Sequence, residues 1–234
     1  MLTVTEIFNG VAERYDRWFT SPIGRYVDRV EWELFLKKMN PQRGEKALDV
    51  GCGTGIYLIR LARMGLSCTG IDPSERMLHI ARKKAEAAGL QIEFVKGFAE
   101  SLPFPDSSFD LVFSITAMEF FGDPQAAVKE MIRVAKEGGR VGIGVLNIFS
   151  TWGIRRKVRD LIKNGLFKEA HLFSPGEFKK VAPFEEVVGG VLLPHSTPPP
   201  LIPPLSKMEE KLLGAFPRLG YLGAYLFGHF YVRK

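Results

Sequence analysis

The stretch ALDVGCGTG, residues 47–55, places an acid and three glycines at the end of a short apolar run. Gly51, Gly53 and Gly55 alternate, and Asp49 lies two residues before the first of them. Glycines in such a turn supply positive φ and let a ligand meet bare backbone. A second acid, Asp72 in GIDPS, follows Gly51 by 21 positions. On the tip of the next strand, a carboxylate there can accept the ribose hydroxyls of an adenosine. Its plainer role is that of a turn residue ahead of Pro73.

The two acids narrow the ligand. A dinucleotide sets a pyrophosphate over the helix N-terminus, where a carboxylate such as Asp49 would repel it. The dinucleotide fingerprint is also spaced G-x-G-x-x-G, whereas this turn reads Gly51-x-Gly53-x-Gly55. Asp49 suits a ligand that carries a positive group, and the methionine ammonium of S-adenosylmethionine is one. The alternative for Asp49 is a local cap on the turn's own amides. Met77, one helical turn beyond Asp72, can cover an adenine or simply fill the core.

The pattern around these residues supplies the elements that must hold them. KALDV, LSCTGID, QIEFVKG, FDLVFSI and RVGIGVL read as strands. IYLIRLARMG, SERMLHIARKKAEAAG and DPQAAVKEMIRVAKEGG read as helices between them, each closed by glycine. Alternation of this kind predicts parallel βαβ units in an α/β sheet up to about residue 147. Residues 1–40 read as helical, with aromatics among charges. Beyond 147 the period weakens: residues 150–170 suggest an inserted helix, SPGEFKKVA starts another, and HSTPPPLIPP reads as a proline-rich crossing with no helix in it.

Composition excludes several classes. At 234 residues the chain can bury a core, and no apolar run reaches the length of a membrane span. The start lacks the pattern of a secretory signal, so a cytoplasmic location is expected. Cys52 and Cys68 form no disulfide framework, and four scattered histidines give no ligand pair, so no metal is expected. The net charge of +6 has its densest cluster at residues 155–163, read as the solvated face of a helix rather than a nucleic-acid patch.

LDVGCGTG, GIDPSERML, GFAESLPFPDSSFDLVFS and EMIRVAKEGGRVGIGV together resemble the class I S-adenosylmethionine-dependent methyltransferases. The likeness is nearest to the type 11 branch, which includes the ubiquinone/menaquinone-biosynthesis enzymes. It implies a Rossmann-like, doubly wound seven-stranded sheet, mostly parallel with a reversed last strand and helices on both faces. It implies one domain over 1–234: an N-terminal helical cap (1–40), a cofactor-binding core (45–147), and substrate-side insertions with C-terminal strands (148–234).

The cofactor, S-adenosyl-L-methionine with S-adenosyl-L-homocysteine as product, is expected to meet Tyr15, Asp49, Gly51, Cys52, Gly53, Gly55, Asp72, Pro73, Met77, Phe98, Ala99, Glu100 and Ser114. Many relatives carry an acid where this chain has Phe98, which leaves the backbone of Ala99 and the neighbouring Glu100 to face the adenine. Tyr15, Trp18 and Phe19 are candidates to close over the sulfonium, or to bury a helix face against the sheet. Paired histidines common after the fourth strand are replaced by Met118, Glu119 and Phe120. Glu119 is the one candidate base, set against its role as a loop acid open to solvent; His171 reads as structural.

The regions outside the shared core, rich in Phe, Leu, Ile and Pro, favour a small apolar or aromatic acceptor such as a quinone precursor or lipid-like molecule. Peripheral membrane contact and oligomeric state stay open, and no nucleic-acid partner is expected. The alternatives are an RNA or protein methyltransferase, and a cofactor-binding relative without turnover.

Overall fold

The structure, a computed structural model, describes residues 3–162 and 169–234. Its centre is a seven-stranded sheet of β1 (Lys46–Val50), β2 (Ser67–Asp72), β3 (Ile92–Lys96), β4 (Phe109–Ile115), β5 (Ala135–Leu146), β6 (Glu186–Gly190) and β7 (Tyr225–Tyr231). The spatial order is β3-β2-β1-β4-β5-β7-β6. The strands β1 to β5 pair in parallel, while β7 runs antiparallel to both β5 and β6. The aromatic tail therefore supplies the reversed last strand, with β6 outside it at the edge. The winding changes direction between β1 and β4, and at such a switch point the connections leave in opposite directions and open a crevice.

Burial on both faces explains the apolar strands. In β4, Leu111 and Phe113 join one core with Phe35, Leu58 and Phe227, while Val112 joins the other with Met131, Val141 and Leu226. The first core is covered by α3 (Pro22–Met39) and α4 (Ile56–Arg63), the second by α6 (Pro124–Val134). The remaining helices are α1 (Val4–Tyr15), α2 (Arg17–Thr20), α5 (Glu75–Ala87), α7 (Thr151–Ile162), α8 (Pro175–Phe178) and α9 (Ile202–Ala215). Part of the helix expected over 150–170 is α7; residues 163–168 lie outside the described residues.

Two boundaries differ from the sequence reading. The helix expected to run to the two glycines at 138 and 139 stops at Val134, and β5 begins at Ala135. Phe109 pairs with Ala135 but Leu111 pairs with Arg140, so the ladder absorbs the intervening residues as a bulge, with Gly138 at φ 71°. The proline-rich crossing also contains a helix start. Ile202 opens α9, and Pro203 and Pro204 sit in its first turn, where a missing N–H costs nothing because no intrahelical acceptor faces it.

The helix α3 anchors the N-terminal region. Ser21 caps it by accepting the Gly24 N–H at 3.0 Å, Pro22 follows the cap, and Asn40 ends it in the left-handed region. Its buried face places Phe35 against Phe113 and Tyr57 edge-on, at centroid distances of 4.9 and 5.3 Å. Phe35 is fully buried. Phe35→Ala is expected to lower unfolding stability by about 3–5 kcal/mol, read by urea denaturation. A loss under about 1 kcal/mol would contradict this packing.

Candidate functional site

The turn after β1 is shaped by its glycines. The N–H groups of Gly51 and Cys52 both donate to the Ile71 carbonyl, at 2.8 and 3.0 Å, which folds the turn against the end of β2. Gly51 has φ 80°, and a Cβ on it would stand 2.5 Å from the Ala117 Cβ. Gly53, at φ 50°, has nothing within 4 Å of where its Cβ would be, so its bare face opens into space.

Asp72 ties this turn to the next helix. Its Oδ2 accepts the Gly53 N–H at 2.9 Å and its Oδ1 accepts the Ser74 N–H at 2.8 Å. The acid that caps the glycine turn is thus Asp72. Asp49, for which capping was the plainer alternative, has no hydrogen bond to any described residue. It is 4 % exposed, and burial, with the Asp72 carboxylate adding to it, raises its carboxyl well above the usual range. Burial raises Asp72 too, against the pull of its two amide donors.

These residues wall a cavity of about 300 Å³ at the carboxyl ends of β1 and β2. Of the residues expected from the sequence, Tyr15, Asp49, Gly51, Cys52, Gly53, Asp72, Pro73, Met77, Phe98, Ala99 and Glu100 all line it. Gly55 and Ser114 do not. Gly55 is the N-cap of α4, where a Cβ would press Ala81 and Phe94 at 3.2 and 3.4 Å. Ser114 is fully buried inside β4, and the lining from that strand comes instead from Ile115, Thr116 and Ala117. The Glu100 carboxylate accepts the N–H groups of Gly122 and Asp123, tying the loop after β3 to the segment after β4.

The cap is held over the cavity by polar ties. Ser74 Oγ donates to Asn9 of α1 at 2.7 Å, and Thr54 Oγ1 donates to Asp16 at 2.6 Å. The other oxygen of Asp16 pairs with Lys84 of α5 at 2.6 Å. Tyr15 and Phe19 reach the cavity wall; Trp18 does not, and lines a second cavity beside it.

Glu119 is not the solvent-open loop acid of the sequence reading. It is 1 % exposed, one oxygen accepts the Leu146 N–H, and the other is buried without a hydrogen-bond partner among the described residues. The backbone curls the segment after β4 into a short 3-10 turn that carries the side chain inward. Glu119 lines neither cavity, and burial pushes its carboxyl up to about 7. His171 is exposed, with its ring edge-on to Phe173 at 4.7 Å, and its backbone N–H donates to the Glu119 carbonyl at 2.8 Å.

Sequence reasoning missed Phe8 and Glu31, which line both cavities. Phe8 meets Phe120 edge-on at 4.9 Å. A signal existed for each. Val4, Phe8, Val11 and Tyr15 repeat at helical spacing, and Glu31 falls on the Val27-Phe35-Met39 stripe as an acid in an apolar row. Among the described residues no group of three or more His, Cys, Asp or Glu could hold a metal, and no helix is long and apolar enough to cross a membrane.

Residues 48–143 match the family described as "Methyltransferase domain". The demethylmenaquinone methyltransferase of Anoxybacillus flavithermus is 39% identical over 143 residues, covering 59% of this chain and 60% of its own. That of Geobacillus stearothermophilus is 37% identical over 141 residues, 58% and 59% of the two chains. The chain thus spans about three fifths of the length of the curated relatives it matches. A crystal structure of a SAM-dependent methyltransferase from Thermotoga maritima, described as a possible histamine N-methyltransferase, superposes with a TM-score of 0.71 at 26% identity. That likeness covers 99% of this chain and 100% of the other.

A buried acid whose carboxyl lies above its unfolded value binds a proton more readily folded than unfolded. Stability from Glu119 is therefore full below the ordinary carboxylate range and is lost as pH rises toward and through about 7. Glu119→Gln removes that loss. Between pH 5 and 8 the variant is expected to lose less stability than the wild type, by on the order of 1–3 kcal/mol in urea titrations. Equal slopes for both proteins would show that Glu119 does not titrate in this range.

Proposed function

We propose that this chain is a class I S-adenosylmethionine-dependent methyltransferase, and that it transfers a methyl group from S-adenosylmethionine to a small apolar or aromatic acceptor of the quinone-precursor kind. One observation carries the reading: Asp49, a buried carboxylate with no hydrogen-bond partner among the described residues, faces a cavity that Asp72 and the bare Gly53 backbone share. An unpaired buried charge is costly, and an ammonium group brought by the ligand is the compensation that fits it.

In this reading Asp49 receives the methionine ammonium. Asp72 retains free lone pairs beyond its two amide bonds and accepts the ribose hydroxyls. Met77 and the Phe98–Ala99 loop flank the adenine, and Tyr15 and Phe19 close the cap side. The donor supplies a methyl already activated by its sulfonium. The residues of the chain then align, enclose and exclude water, and positioning of this sort supplies on the order of 7–11 kcal/mol of a barrier.

The quinone-precursor acceptor is supported by the curated relatives, whose likeness stops at three fifths of their length. A second reading, an imidazole-bearing amine of the histamine kind, is favoured by the Thermotoga structure, described as a possible histamine N-methyltransferase, whose likeness runs through the whole chain. We propose further that the cap, the core and the 148–234 region act as one domain. A cytoplasmic location goes with the two free thiols, Cys52 and Cys68, which a reducing compartment maintains.

Calorimetry tests the donor site. The protein is expected to bind S-adenosylmethionine and S-adenosylhomocysteine and to ignore NADH. Asp72→Ala and Asp49→Asn are each expected to weaken donor binding about 10- to 100-fold, the worth of a charge-assisted hydrogen bond. Gly53→Val, whose side chain would enter the cavity, is expected to abolish binding with the far-UV spectrum unchanged. Wild-type affinity in all three variants would sink the assignment.

A further inference from the structure

Beside the donor cavity lies a second one of about 320 Å³. The two share Phe8, Tyr15, Phe19, Glu31, Thr116 and Phe120 as walls. Beyond that junction the second cavity is bounded mostly by apolar and aromatic side chains, among them Val11, Trp18, Val27, Leu146 and Trp152. It therefore excludes water from a flat apolar guest while touching the donor cavity over a common wall.

Glu31 is the one carboxylate in that common wall. It is 7 % exposed, and no described residue hydrogen-bonds its side chain. A structural acid in a helix core normally has a partner, so an acid left facing a cavity is held for a guest. The groups around it come from every neighbouring element: Asp28 on its own helix, Arg60 and Tyr57 on α4, Tyr15 on α1, Glu119 after β4, Tyr225 on β7 and Arg156 on α7. Arg60 is engaged by Asp28 at 2.5 Å, and Arg156 stacks over Trp152 at 5.5 Å.

We propose that the second cavity is the acceptor chamber for a hydroxyl-bearing aromatic molecule, and that Glu31 is the catalytic base that takes the proton from that hydroxyl. The inference rests on the methyl-transfer reading above. As the proton passes to the Glu31 carboxylate, the acceptor's electron pair, on oxygen or delivered through the ring to the adjacent carbon, forms the bond to the methyl carbon. The methyl–sulfur bond breaks with its pair left on sulfur, giving a neutral thioether. For attack at carbon, the ring then loses its own proton to water and regains aromaticity. Burial, with Asp28 and Glu119 adding to it, pushes the Glu31 carboxyl up to about 8, close to the pH at which a base of this kind works best.

The test uses naphthalene-1,4-diol, kept reduced under argon, with the full chain. Diol binding is read by quenching of Trp18 and Trp152 in the chamber wall, donor binding by calorimetry with S-adenosylhomocysteine, and transfer by mass of the product. Wild type is expected to bind both and to transfer methyl, with kcat rising as pH passes through about 8. Glu31→Gln is expected to keep both binding signals, to lose about 10²–10⁴-fold in kcat, and to lose that pH limb. Val27→Phe, which fills the chamber, is expected to abolish quenching and leave S-adenosylhomocysteine binding intact.

Glu31→Gln with wild-type kcat and an unchanged pH limb would overturn the base assignment. So would wild-type protein that binds donor and diol but transfers nothing. Quenching that survives in Val27→Phe would overturn the chamber. Failure of S-adenosylhomocysteine to bind wild type would instead overturn the methyl-transfer reading, and this inference with it.

Discussion

A carboxylate removed from water must find a compensating group, and the region above the strand tips is organised by where each buried acid finds one. Asp72 finds two backbone amides, and in doing so locks the turn after β1 to the start of α5. Glu119 finds one amide, that of Leu146, and so ties the segment after β4 to the end of β5. Asp49 and Glu31 find none within the described chain. The first pair builds the walls; the second pair faces the cavities those walls enclose. The same constraint thus separates acids that hold the loops together from acids that face a cavity with no hydrogen bond among the described residues.

The sheet makes that separation possible. Because β1 to β5 run in parallel, their carboxyl ends open on one side, and the change of winding between β1 and β4 parts the connections there. Asp49 near the tip of β1 and Asp72 at the tip of β2 come together through the β1–β2 register, in which Val50 stands beside Ile71. After burial, the Asp72 carboxylate raises the Asp49 carboxyl further, which makes a cationic group between them more valuable than it would be beside either alone.

The first cavity was legible in the sequence because one βαβ unit contributes most of its polar wall. Gly51, Gly53, Asp49 and Asp72 lie within a short span, and local spacing fixes their relative positions. Ser114 was misplaced by the alternation of its strand: it turns into the sheet, and the next residues, Ile115 to Ala117, reach the cavity. Glu119 looked like a loop acid because nothing local shows that the 3-10 turn rotates it under the end of β5. Glu31 and Phe8 escaped notice for a different reason. Their helices reach the site only through tertiary contacts, and a stripe of apolar residues broken by one acid announces a buried acid without saying what it faces. The start of α9 was hidden by its prolines, which read as a barrier until they fall in a first turn.

The two helices that bring those residues in are held by different forces. Six residues of α3 are buried, Phe35 and Met39 completely, so the wall carrying Glu31 is part of the core. Only Ala12 is buried on α1. What keeps α1 in place is a set of polar ties, Asn9 to Ser74 and Asp16 to Thr54 and Lys84, with the Phe8–Phe120 edge contact beneath. Exposed or half-buried ties of this sort contribute little each and exchange readily with water. Lifting α1 therefore costs far less than moving α3, and segments with few buried contacts are where local opening occurs. One wall of the cavities is thus fixed by the core, and the other is held at the surface. The acid Glu31 sits on a helix fixed by its buried face, and the aromatics Phe8 and Tyr15 on a helix held by surface ties.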